Sequence, residues 1–259
     1  MTKDFTGILS DKYISEPMRR VNGYLYYHWQ IVRPLKLITG LSYDHLTTPR
    51  NSELLLLTEG TTTQELLAPK AGFLLAPWRG AQGRGAYARS LGGLFFDNSV
   101  RLEPSQVAGF NQAFRSLAPE SSVGLVPGTV FETVSLGLDQ TLPRRTYFGL
   151  QTDWLHSDGD RTLGITASPF PPPPPGLGSS TRQVLIFRER TLSAYAVQLL
   201  GDGFSAAMRY RLSDANLDTT LSQIPESAID LDSHEQHQHS TLQHVALSLS
   251  YQHPCGFFG

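Results

Sequence analysis

Apolar and polar side chains alternate with period two along most of this 259-residue chain. Only an extended strand throws successive side chains to opposite faces, whereas helical periodicity over about 11 or more residues is hard to find here. In the stretch Val21 to Val32, Leu25, Tyr27, Trp29 and Ile31 share one face, and Asn22, Tyr24, Tyr26, His28 and Gln30 share the other. The next stretch gathers Leu35, Leu37, Thr39, Leu41 and Tyr43 opposite Lys36, Gly40, Ser42 and Asp44, with Ile38 as an exception. Further strands are predicted near 69–78, 83–92, 129–140, 146–157, 187–200, 204–217 and 239–252. The fold class expected from this is all-β.

The connections have a rhythm of their own. Arg33-Pro34, Arg79 to Gln82, Thr141 to Arg145 and Gly201 to Gly203 are short turns, rich in proline and glycine. Between the hairpins they close lie long polar stretches near 47–67, 93–127, 158–185 and 214–238. Ordinary domains join elements with about 4–6 residues, and structureless loops beyond about 12–15 are uncommon. Short turns at one end and long loops at the other are the habit of transmembrane β-barrels. Aromatic residues toward strand ends, such as Tyr43, Trp154 and Tyr251, fit interfacial girdles. The expected architecture is an antiparallel up-and-down transmembrane β-barrel, incomplete in this chain, with about nine to ten strands forming an open curved sheet.

Composition agrees with a barrel only once the period is known. Mean hydropathy is −0.20, and no stretch approaches the roughly 18 apolar residues of a spanning helix. Alternating strands dilute hydrophobicity in this way. A net charge of −2 gives no footprint for nucleic acid. The single cysteine, Cys255, excludes an internal disulfide and a paired-cysteine zinc site. It sits in a turn-like His-Pro-Cys-Gly stretch and is not expected to be a nucleophile. A soluble sandwich also uses long alternating strands, but its water-facing side is rich in Lys, Glu and Thr. Here that side carries Gly40, Ala86, Ala207, Ala246 and serines.

Several stretches have a familiar wording. Pro69-Lys70-Ala71-Gly72-Phe73, Gly85 to Gly93 with Arg89-Ser90, Arg101 to Val107, and Phe131 to Asp139 together resemble the barrel domain of TonB-dependent receptors. The stretch Arg101 to Phe114 is also similar to receptor-like barrels that follow tetratricopeptide repeats in Gram-negative proteins. The resemblance runs over about residues 20–259 and implies placement in the cell outer membrane, with uptake of a siderophore, cobalamin or glycan. It further implies a periplasmic energy-coupling protein, reached through a plug. Residues 1–20 are expected to be an extracellular loop remnant and 21–259 a partial barrel, the chain being a fragment.

Candidate functional residues follow from parity. Arg84, Gln151, Asp153, Gln198, Arg209, Arg211 and His244 are assigned to the polar face and would line a lumen, where charge tunes selectivity. A cluster of Asp230, Asp232, His234, Glu235, His237 and His239, with His244 nearby, carries metal-ligand chemistry, and His234, His237 and His239 are the candidates. A solvated polar loop is the plainer account of it. Asp153, Asp158 and Asp160 lack calcium-loop spacing. Pro171 to Pro175 is expected to be a stiff spacer in polyproline II form. No Gly-x-Ser-x-Gly, phosphate loop or His-Glu-x-x-His occurs, so no enzyme activity and no cofactor are expected. The function expected is part of an outer-membrane receptor or transporter with lipid and a small solute or glycan as partners. A passive porin-like or glycan-export barrel and a soluble adhesion sandwich are the alternatives.

Overall fold

Period-two alternation becomes strands wherever it occurs. The computed structural model describes residues 18–51, 58–92, 102–112, 128–165, 179–201, 203–221 and 235–252. Their order is β1 (Arg19–Val32), β2 (Leu35–Asn51), β3 (Thr58–Leu75), β4 (Ala81–Gly92), β5 (Gln106–Val107), β6 (Phe110–Asn111), β7 (Thr129–Leu142), β8 (Thr146–Ile165), β9 (Ser179–Leu200), β10 (Phe204–Leu221) and β11 (Glu235–Tyr251). The described residues are all-β: one antiparallel up-and-down sheet of nine strands, ordered β1-β2-β3-β4-β7-β8-β9-β10-β11, plus the separate β5-β6 hairpin. β1 and β11 are the two edges, and the sheet is not closed.

All nine expected strands are present, but most are longer than their hydrophobic alternation. β2 continues to Asn51, β8 to Ile165 and β10 to Leu221, and β3, β9 and β11 begin correspondingly early. The described residues at both ends of the long stretches near 47–67, 158–185 and 214–238 are therefore strand, a correction with a physical cause. A backbone ladder continues so long as neighbouring strands keep donating and accepting, whatever the side chains. In these extensions polar and ionic pairs replace apolar contacts across the ladder: His45–Glu65 at 3.1 Å, Arg182–Asp160 at 3.0 Å and Arg188–Asp218 at 3.3 Å.

Register fixes the two faces. One carries Tyr43, Leu67, Val134, Leu136, Leu138, Leu150, Met208, Leu247 and Leu249, all exposed. On β7 this apolar belt runs from Val134 to Leu142, and on β10 from Phe204 to Leu212. Each span is close to the 9–11 residues of a tilted membrane strand. Phe204 and Tyr251 stack at its lower end, 4.3 Å between centroids. Above the belt the same face changes abruptly to charge, with Arg89–Glu132 at 3.2 Å and His156–Asp158 at 3.2 Å joining the pairs already named.

The opposite face is where burial sits. Leu46, Leu66, Ala68 and Leu91 form one cluster, Leu185, Phe187 and Leu217 a second, and Ile38, Val107 and Ala108 a third. β4 pairs with β3 only from Gly83 to Ala88, and Leu91 beyond that point packs on Leu46, Leu66 and Ala68. β2 and β8, with three strands between them, approach each other, so the sheet curls about this face.

Candidate functional site: the polar face and its in-folded hairpin

The connection between β4 and β7 does not stay at the strand ends. Part of it, Leu102 to Gln112, folds down onto the polar face as the β5-β6 hairpin, burying Glu103, Val107, Ala108, Phe110 and Gln112. Val107 pairs with Phe110 across a two-residue turn, Ala108-Gly109. Both turn residues have positive φ, 49° and 83°, the conformation a type I′ hairpin demands and glycine accepts without strain.

The wall beneath is shaped to receive it. A Cβ on Gly72 of β3 would lie 2.9 Å from Ala108 Cβ and 2.9 Å from Val107 Cγ1. A Cβ on Gly137 of β7 would lie 3.2 Å from the Phe110 ring. Two absent side chains thus leave the space that the hairpin fills. Gly40 of β2 serves differently: the Tyr26 ring lies over it, so that Tyr26 Oη reaches the hairpin.

Polar contacts then hold the hairpin from several strands. Lys70 Nζ of β3 donates to Glu103 Oε1, both side chains being shut from water at 0% and 1% exposure. Tyr26 Oη donates to Glu103 Oε1 at 2.7 Å and accepts from Gln112 Nε2 at 2.8 Å. Tyr24 Oη donates to the Leu102 carbonyl, and Ser90 Oγ of β4 donates to the Gln112 carbonyl. Arg84 of β4 donates to Asp139 through Nε at 3.1 Å, to the Gly109 carbonyl through Nη1 at 3.2 Å and to Gln151 through Nη2 at 3.3 Å, while its guanidinium lies 4.6 Å over the Phe110 ring.

Beside the hairpin lies a polar cleft of about 260 Å³. It is lined by Asn111 of the hairpin, Ser135, Gln151, Asp153, Glu189, Thr191 and Arg211 among others. Asp153 accepts from Ser135 Oγ at 2.6 Å and from Gln151 Nε2 at 2.9 Å. Thr191 Oγ1 donates to Glu189 at 3.0 Å and stands 2.7 Å from Ser213 Oγ. Arg211 Nη2 is 3.9 Å from Glu189, and its Nε has no acceptor among the described residues. Hydroxyls, amides, carboxylates and a guanidinium together make a surface able to exchange hydrogen bonds with a hydrated solute.

Of the residues expected on the polar face, Arg84, Gln151 and Asp153 meet in one network, and Arg211 joins the same cleft. Arg209 shares the face of Arg211, and His244 stands opposite Arg211 in the register. Gln198 is a correction. It pairs with Thr146 and Ala206, placing it on the apolar face beside Ala196 and Leu200. At that rim its side chain is absorbed by the turn, with Nε2 donating to the Arg144 and Leu199 carbonyls and Oε1 accepting from Thr146 at 2.5 Å. Lys70, Glu103, Tyr26, Gln112 and Asp139 were not singled out from sequence. The readable signal was Val107-Ala108-Gly109-Phe110, a glycine-containing pair between apolar residues.

His237 and His239 do share a face of β11, above the belt, but each engages an aspartate of β10: His237 Nδ1 with Asp218 at 2.8 Å and His239 Nε2 with Asp214 at 2.7 Å. No group of three or more His, Cys, Asp or Glu among the described residues is placed to hold a metal ion. His234, Asp230, Asp232, Cys255, residues 1–17 and Pro171 to Pro175 lie outside the described residues.

These exposed pairs give the free edge a pH dependence. The hydrogen bond to Asp218, and then its charge, raise the pKa of His237; the hydrogen bond from His239 lowers that of Asp214. The His237 contribution is full below the ordinary imidazole value of about 6.5 and is lost as pH rises through the raised value. The Asp214 contribution is present above about 3.9 and is lost as pH falls through the lowered value. Amide exchange at 237–241, corrected for intrinsic rates, should therefore show more protection at pH 5 than at pH 8. His237→Gln should remove most of that difference.

Comparison with protein-family models and with curated proteins finds no match for this chain.

Proposed function

We propose that the chain forms part of the wall of an outer-membrane β-barrel that takes up a small solute at the cell surface. The observation that carries this reading is the contrast between the faces. A belt of exposed apolar residues crosses the sheet, bounded above by ion pairs, while the other face holds a hydrogen-bonded polar network. In a sandwich a second sheet would cover the apolar side. Among the described residues none does, and Leu67 and Leu150 of interior strands are 59% and 52% exposed. Lipid is the solvent that suits such a belt, and polar groups at the sheet edges have to be paired within it. Since β1 and β11 are the first and last of nine alternating strands, they run in the same direction. Antiparallel closure in the membrane therefore takes an odd number of further strands.

Energised uptake of the TonB-dependent kind rests on the sequence resemblance. Passive, size-limited passage is the second reading, favoured by the hairpin seated on the polar face. The test of the shared premise is flotation with phosphatidylcholine vesicles after refolding of the full chain. Co-flotation resistant to alkaline carbonate is expected. A chain left at the bottom of the gradient, monomeric and sharply melting without detergent, would overturn the membrane reading.

A further inference from the structure

We propose that the hairpin Leu102 to Gln112 is a fixed constriction that sets the size limit of the passage, with the Lys70–Glu103 ion pair as its anchor. The inference rests on the membrane reading above and adds to it the element that narrows the path. Three independent features carry it. The hairpin occupies the polar face itself, the side on which a solute would travel. Its seat is built into the wall, since side chains at Gly72 and Gly137 would collide with Val107, Ala108 and Phe110. Its anchors come from different strands: Tyr26 from β1, Lys70 from β3, and Arg84 from β4.

A loop that merely rested on the wall would not need a fully buried ion pair, because two charges removed from water are costly unless held in good geometry. Lys70 pairs with Glu103, and the same carboxylate also accepts from Tyr26. Removing Lys70 alone leaves Glu103 charged in a site closed to water. An escape for that carboxylate is outward to water with the hairpin. Replacing both partners by apolar residues removes that drive, so the hairpin should stay seated. Lys70 and Glu103 thus act as positioning residues, and Arg84 of β4 holds the tip through the Gly109 carbonyl.

The test uses the full polypeptide that carries this sheet, with Cys255 replaced by serine, in planar bilayers and in vesicles. Lys70→Met should raise single-channel conductance at least twofold and admit neutral polyethylene glycols excluded by the parent. Lys70→Met/Glu103→Leu should return both to parental values. A second readout guards against general damage: Ala108→Cys, at a position buried in the seat, should resist a water-soluble maleimide in the parent and Lys70→Met/Glu103→Leu backgrounds and react in the Lys70→Met background. If the protein floats with vesicles but conductance is the same in the parent, in Lys70→Met and in the double variant, including zero throughout, the constriction role is overturned while the membrane reading stands. If it does not float, the membrane reading fails and the constriction with it.

Discussion

Lys70→Met is expected to cost about 3–5 kcal/mol of folding stability, the usual penalty for leaving one member of a buried ion pair without the other. The Lys70 and Glu103 side chains are 0% and 1% exposed, so neither can turn to water without moving the hairpin. Tyr26 Oη, which donates to Glu103 at 2.7 Å, is neutral and cannot replace the ammonium. The double variant Lys70→Met/Glu103→Leu should recover most of the loss, because an apolar pair of similar volume often replaces a buried ion pair at little cost. Urea unfolding of the refolded chain in lipid, followed by tryptophan fluorescence, measures all three. The control is Arg188→Ala, which breaks an exposed pair at 3.3 Å with Asp218 and should change stability by no more than about 1 kcal/mol. Equal effects at Lys70 and Arg188 would mean that the Glu103 site is open to water and that the hairpin has no anchor there.

Strand period carried most of the fold. A face assignment needs only parity, and from Val21 to Gln30 or Phe204 to Leu212 the parity read from sequence is the one the register shows, while an irregularity between Gln30 and Val32 breaks it at the end of β1. Strand ends were less legible, because alternation of apolar residues reports the belt and not the ladder. Above the belt, residues such as Asp214, Asn216 and Asp218 still pair with His237 to Thr241, yet by composition they resemble a loop. The error at Gln198 has a related origin. It lies close to a turn, where a polar residue on the apolar face is tolerated because Arg144 and Leu199 offer it carbonyls.

The hairpin was harder to find because its partners are far apart in sequence. Lys70 and Glu103 are brought together only after β3 and β4 have paired and the following loop has turned back, and local pattern holds no trace of that return. Small residues on the polar face were visible from the start, in Gly40 and Ala86. Their reason was not. Gly40 reads as dilution of a polar face until the Tyr26 ring is seen resting on it, and the role of Gly72 shows only with the hairpin seated on it. In the cluster near His234 to His239, His237 and His239 show that carboxylates and imidazoles that suit a metal equally suit cross-strand pairs along β10 and β11.

Met208→Arg and Ala207→Arg should separate by about 2–4 kcal/mol although the residues are neighbours in sequence. Met208 lies midway along the β10 belt, 49% exposed between Ala196 and Leu247. An arginine there would face hydrocarbon, at about 2–4 kcal/mol near the bilayer midplane. Ala207 points to the other face, paired with Val197 and Ser248 and following the parity of Arg209. An arginine on that side has polar neighbours and water, so its cost should be small. Equilibrium folding into vesicles, titrated with urea, gives both values on one scale. The comparison is decisive because a loop or collapsed aggregate would treat adjacent positions alike, and a soluble sandwich would penalise arginine on its buried face whether or not lipid is present. Lipid dependence of the Met208 penalty, with Ala207 tolerant in the same vesicles, is the signature of a sheet whose one side faces a membrane and whose other side faces water.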